Sequence, residues 1–456
     1  MAGTPGRSWP CRSRWCASGS GFRRSPGAPC ARRDGEPPLR HIQRALRERP
    51  ETFRRVGNVE PVFRELGIDG VFSAEGAEWR PLRKLTMEAL APARLRSFYP
   101  ALRDVAERLQ RRWGAAADAG REIDVVEDFK RFTVDLTTRL TLGHDLDTLE
   151  QEGDVLQRKL EVVFPALTRR LFAVVPLWRA VRLPADRRLE RALSDVFGFL
   201  RQVLETTRTR LEADGAAAPA TFLEAMIRAR DDAGQPFTDR QILGNAIEML
   251  LAGEDTTALT LSWAVHELCD APRAVRDLQA EADAVLAGAA APREVDAAAR
   301  LHVAGAVAQE TMRLRPVAPV LFMEANGDTS LGDIAIPRGQ RLILLARPQA
   351  VSPAHFADPT AFRPERWLEH APGAAHEPAA HIPFGSGPRL CPGRSLALLE
   401  MRVALATVLG SFSLERVGER ATVEERFAFT MGPRGLRVRL ARRRRDASTG
   451  AAAPAG

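Results

Sequence analysis

The stretch "FGSGPRLCPG", residues 384–393, decides how this chain is read. It sets one cysteine, Cys391, among Gly385, Gly387, Pro388, Pro392 and Gly393. Glycine and proline at that density cannot continue a helix. Yet "RSLALLEMRVALATVLGSF" (394–412) follows at once, with apolar residues three and four apart, a helical pattern. A thiol at the start of a helix meets free amides and the positive end of the helix dipole, both of which favour a thiolate.

The chain around this loop has 456 residues, 45% of them hydrophobic, enough for a large buried core. Three of its 66 basic residues are lysines (Lys84, Lys130, Lys159) and the rest are arginines. The net charge of +8 sits in the ends. Residues 1–40 carry eight arginines against Asp34 and Glu36, and residues 441–456 carry four against Asp446. The nearly neutral body between them argues against nucleic-acid binding, which needs basic charge on the fold itself. The cysteines at 11, 16, 30, 269 and 391 are odd in number, which fits a reducing compartment better than a disulfide framework. Cys11, Cys16 and Cys30 lack the CxxC pair or partner histidine of a zinc site. No apolar run nears the ~20 residues of a membrane span, and no signal peptide is visible. The expectation is a cytoplasmic protein with no membrane anchor.

Residues 1–38 are rich in Gly, Pro, Ser and Arg and read as a disordered segment outside the fold; 442–456 read as a basic disordered tail. Between them, 39–441 read as one domain, mainly α with a small β portion. Helical periodicity marks "LRDVAERLQRRWGAAAD", "VEDFKRFTVDLTTRLTLG", "LERALSDVFGFLRQVLETTRTRLEA" and "TDRQILGNAIEMLLAGEDTTALTLSWAVHELCD", the last capped by Thr238 or Asp239. After Pro316, "DTSLGDIAIPRGQRLILLARP" reads as short strands, and "RFAFTMGPRGLRVRL" as two strands around a Gly/Pro turn.

"MLLAGEDTTALTLSW" (249–263) is apolar on most sides, so it predicts a helix through the middle of the domain. Gly253, Glu254, Asp255, Thr256 and Thr257 break that rule. Gly costs about 1 kcal/mol in a helix interior, and a buried acid costs more unless paired. Thr256 can bond back to the Ala252 carbonyl and bend the helix, making a polar groove in an apolar wall. Three further features read blandly alone. Glu310 and Arg313 in "AQETMRLRP" form an i,i+3 ion pair. Arg366 in "FRPERW" (362–367) sits in a proline-bounded loop. Trp79 and Arg83 in "EWRPLRK" (78–84) read as packing beside a solvated charge.

Taken in order, these motifs resemble the cytochrome P450 family, the haem-thiolate monooxygenases. The loop matches the family's haem-binding pattern at Phe384, Gly387, Arg389, Cys391 and Gly393. "AGEDTT" matches its oxygen-activating helix, "ETMR" its Glu-x-x-Arg, "PERW" the element that follows, and "WRPLR" its Trp-x-x-x-Arg helix. The resemblance runs from about 41 to 443 and implies the P450 fold, with haem b between the long central helix and the Cys-loop helix. It implies Cys391 as proximal iron ligand, Phe384 as its shield from water, and Gly387 and Gly393 as sites of close backbone approach. Arg389, Trp79 and Arg83 would serve the haem propionates, and Ala252 and Gly253 would line the cofactor. Asp255 and Thr256 would be the acid–alcohol pair supplying protons to dioxygen. Glu310, Arg313 and Arg366 would form a structural charge cluster.

The implied reaction inserts one atom of O2 into a lipophilic small molecule. Sixty-five residues follow Cys391, so electrons are expected from separate proteins, a ferredoxin or flavodoxin with its reductase, drawn to Arg389, Arg394 and Arg402. A pocket is expected near Val71–Phe72, 160–178, Ile247–Ala252, Val317–Phe322 and Phe429–Met431. Two departures stand out. Residues 1–38 do not resemble the helix and β-hairpin that usually open the family. The segment 318–328 holds no Arg or His where many relatives place another propionate donor. The alternatives are a peroxygenase or isomerase on the same haem-thiolate fold, or a non-catalytic haem binder.

Overall fold

The computed structural model describes residues 38–443, apart from 152–154, 161, 215–218 and 369–375. Of the ends expected to be disordered, 1–38 and 442–456, residues 1–37 and 444–456 lie outside the described residues. A 30-residue helix, Asp239–Leu268, runs through the middle. A capping box starts it: the Thr238 hydroxyl accepts from the Gln241 amide, and the Gln241 side chain accepts from the Thr238 amide at 2.9 Å, satisfying two otherwise orphaned donors. Helix Val125–Leu142 lies against it, capped by Asp124 and ended by Gly143 at φ 71. Helices His302–Leu314 and Arg394–Ser411 pack on the same element.

The central helix serves two hydrophobic clusters. Its first half, Ile242 to Leu251, packs with Leu82, Leu85, Leu160, Val196 and Phe222. Its second half, Ala258 to Leu268, packs with Trp113, Phe129, Phe132, Val408 and Phe412. A buried Leu or Phe side chain contributes about 1.5–3 kcal/mol. Residues 252–257 belong to neither cluster. They lie at the seam between two cores, so burial does not require them to be apolar, and polar residues there are tolerated.

The β portion is small. Strand Val320–Ala325 pairs antiparallel with Phe53–Arg55 on one side and Arg341–Leu345 on the other. Strand Arg437–Arg442 is flanked by Glu122–Asp124 and Phe412–Arg416. Thr329–Leu331 and Ile334–Ile336 form the hairpin expected around Gly332. The region read as two strands holds three, because Met431–Arg434 pairs back on Glu424–Phe427 before Arg437–Arg442 begins. The domain also extends past its expected ends. Pro38 opens a helix, Arg442 ends a strand and pairs with Asp118, and Arg443 pairs with Asp283 at 2.7 Å. Among the described residues no helix is long and apolar enough to cross a membrane.

Candidate active site

Cys391 is a free, half-buried thiol in the loop before helix Arg394–Ser411. Its amide donates to the Phe384 carbonyl at 2.9 Å and closes the loop. Gly387 makes the closure possible. It has φ 71, and a Cβ there would lie 2.5 Å from the Leu46 carbonyl oxygen and 2.8 Å from Arg47 Cα, so only glycine fits. Gly393 does not follow that expectation. Its φ is −81, and a Cβ would sit 3.9 Å from Cys391 Sγ, an ordinary contact. Phe384 packs against the larger core beside the loop.

The expected lowering of the Cys391 pKa is also overturned. Burial is the largest influence and pushes the thiol up; the Gly393 and Arg394 amides and the Arg83 charge pull the other way and are outweighed. In the chain by itself burial outweighs the amides; a cation bound at Sγ would favour the thiolate further.

On the central helix, Ala252 is exposed, and Gly253 and Thr256 are half-buried, in the middle of an otherwise buried element. Ala252 and Thr256, four apart, share a face. The Thr256 hydroxyl donates to the Ala252 carbonyl at 2.9 Å, as expected, while the helix stays continuous. At Gly253 a Cβ would meet Thr137 of the adjoining helix at 2.7 Å, so close helix packing requires glycine there. Asp255 is buried and paired with residues the motif does not contain. Lys130 Nζ lies 2.8 Å from Oδ1, and Thr430 donates its hydroxyl hydrogen to Oδ2. Lys130 keeps 22% of its side chain exposed, so the pair reaches solvent.

Arg389 is buried with its guanidinium 4.4 Å above the Trp79 ring. It donates to Glu75 at 2.6 Å and to the Ala74 carbonyl at 2.8 Å, while its Nε and Nη1 are buried without partners. Desolvation pushes it down to about 10. Half-buried Arg83 is lowered chiefly by desolvation and held up by Cys391. Of Arg389, Arg394 and Arg402, expected to face an electron donor together, only Arg394 is exposed. Arg389 is withdrawn by Glu75, and the Arg402 side chain packs against Gly305.

The Glu310 cluster is complete. Glu310 accepts from Arg313 at 2.7 and 2.9 Å, Arg366 at 3.0 Å, Trp367 at 2.8 Å and the Arg363 amide at 2.9 Å. Trp367 and Glu75 were not legible in the sequence. The expected pocket segments do converge: ring centroids of Phe72 and Phe429 are 6.0 Å apart, and those of Phe164 and Phe429 5.6 Å. Met431 donates its amide to the Val317 carbonyl at 2.8 Å. Ile247, Leu250 and Leu251 are instead fully packed in the core.

A thiol loop, a buried helix with an exposed Ala252 on it, and buried guanidinium donors that lack acceptors fit an iron tetrapyrrole carrying carboxylates. The family model for cytochrome P450 matches residues 39–440. The chain is 31% identical to human 25-hydroxyvitamin D-1 alpha hydroxylase, mitochondrial, covering 76% of this chain and 70% of that one. It is 26% identical to cytochrome P450 3A31 of Mesocricetus auratus, covering 77% and 72%. The haem domain of cytochrome P450DA superposes with a TM-score of 0.79 at 23% identity, covering 89% of this chain and 87% of that one. The chain belongs to the cytochrome P450 family, is a monooxygenase of the oxidoreductase class, and takes haem b as its cofactor.

Proposed function

We propose that this monooxygenase inserts one oxygen atom of O2 into a lipophilic small molecule in the cytoplasm, drawing electrons from a separate ferredoxin or flavodoxin with its reductase. The aromatic contacts of Phe72, Phe164 and Phe429, which join three distant segments next to residues bonded to the central helix at Glu248 and Asp255, carry the substrate reading. Such a lining excludes water and orients an apolar molecule through shape. Arg394, exposed three residues from Cys391, offers a cation to an acidic donor protein. Unpaired Cys269 and Cys391 fit a reducing compartment.

When bound, the haem supplies dioxygen activation, favoured by electron donation from a thiolate. The chain's own residues do the rest. Cys391 Sγ would hold the iron, with the Gly393 and Arg394 amides directed at the sulfur. Arg389, Trp79 and Arg83 would serve the carboxylates. Thr256 presents a hydroxyl to the cleft, anchored on the Ala252 carbonyl. Asp255 would take protons from the solvent side through Lys130 and pass them toward Thr256. Glu310 and its arginines keep the surrounding loops in place.

Titrating the haem-loaded protein with a panel of lipophilic compounds should displace the iron's water ligand and shift the absorbance. Asp255→Asn should slow product formation about a hundredfold with that shift retained. A panel that shifts nothing, or an Asp255→Asn protein with parental turnover, defeats the reading.

A further inference from the structure

We propose that Arg49 and Arg55, in the turn after helix Pro38–Arg47 and in strand Phe53–Arg55, hold the two haem carboxylates jointly with Arg389. The inference rests on haem b as the cofactor and assigns residues outside every motif of the loop and helices above.

Five nitrogens carry the argument. Arg49 Nε and Nη2, Arg55 Nη1, and Arg389 Nε and Nη1 are all buried with no hydrogen-bond partner. Arg49 is 6% exposed, and burying a guanidinium with open donors is costly unless an acceptor arrives. The three side chains influence one another electrostatically and share one carboxylate, Glu75. Glu75 accepts from Arg389 at 2.6 Å and from the Arg55 amide at 3.3 Å, but lies 3.9 Å from Arg55 Nη1, beyond hydrogen-bond reach. The other nearby acid, Glu248, is occupied by the Phe72 amide and by the Ser73 amide and hydroxyl, at 2.6–3.1 Å. Three guanidiniums facing one free carboxylate leave an excess of two positive charges. Haem b carries two carboxylates.

The backbone explains how Arg55 comes to point inward. Alternate residues of a strand face opposite sides. Arg54 pairs with Glu324 across the sheet at 2.7 Å, and Glu324 also accepts from the Gly57 amide at 3.0 Å. With Arg54 pinned there, Arg55 faces the other way, its guanidinium 4.0 Å over the Phe72 ring. Glu324 lies within 318–328, the segment that lacks a cationic propionate donor. The cations missing from that strand are supplied by its neighbour.

The test compares haem with its dimethyl ester, which has no carboxylates. Each is loaded into the parent chain, Arg49→Met/Arg55→Met, Arg55→Lys and the control Arg54→Met. Transfer to excess apomyoglobin is followed by Soret absorbance. The parent and Arg54→Met should lose the ester about tenfold or more faster than haem. The double variant should keep only the smaller part of that difference that Arg389 supplies, and Arg55→Lys should retain more of it than the double variant does. The comparison is made within each protein, so general loosening of the fold cancels. A double variant that discriminates as strongly as the parent overturns the assignment. A parent chain that takes up no haem overturns the cofactor assignment beneath it.

Discussion

Two buried arginine clusters in this molecule are built to opposite specifications. Around Glu310, Arg313 spends its donors on the acid and on the carbonyls of Ala350, Pro359 and Ala361, and Arg366 reaches the Ala357 carbonyl. Phe356 closes that cluster, 5.0 Å from the Arg313 guanidinium. Around Glu75, three arginines leave five nitrogens open. Residue type is the same in both; what differs is whether backbone carbonyls from nearby turns finish the job. The closed cluster stabilises the fold by itself, whereas the open one is arranged for an anion that the chain does not contain.

The contrast can be broken most severely at Glu310. Glu310→Gln leaves buried guanidiniums short of charge and should cost about 3–5 kcal/mol. Urea unfolding should give that loss equally with and without haem; a loss confined to one state would mean the cluster is not closed. Glu75→Gln should cost the haem-free protein about 2 kcal/mol and the haem-bound protein less, because the haem carboxylates supply compensating charge.

Glu248, beside the open cluster, sharpens the comparison through pH. Burial raises its pKa from 4.5 to about 7 against the pull of Ser73 and Phe72. A raised acid pKa means that the folded state binds the proton more tightly than the unfolded chain. The resulting stability is complete below pH 4.5 and is lost as pH climbs through about 7. Urea unfolding between those values should show a slope of up to about 1.4 kcal/mol per pH unit, absent in Glu248→Gln. The smallest effect is a reversal of sign. Arg49→Met should stabilise the haem-free protein by about 1 kcal/mol, since it removes a buried charge with open donors. Arg313→Met should destabilise it. Urea midpoints of the two variants decide the matter.

Much of the site was legible because its residues are close in sequence. The Cys391 loop, the Thr238 cap and the Thr256–Ala252 bond all span a few positions, where backbone preference and local spacing dominate. The partners of Asp255 were not legible: Lys130 and Thr430 lie on different elements, brought in by helix and hairpin packing. Lys130 left one signal, as one of three lysines in a chain whose other basic residues are arginines. Arg389 and Glu75 are 314 positions apart, a pairing set by topology and not by periodicity. What motif position alone did not reveal at Gly253 and Gly393 is their local setting: a neighbouring helix presses on Gly253, and Gly393 has an ordinary backbone with φ −81.

Gly387 presses the Cys391 loop onto Leu46 and Arg47, residues more than three hundred positions earlier. As the chain leaves the ribosome, the amino-terminal surface is present long before the loop that must seat on it. Domains assemble in the order of synthesis, but here one wall joins segments made far apart in time. The seat for the Cys391 loop waits, already made, for the segment that completes it.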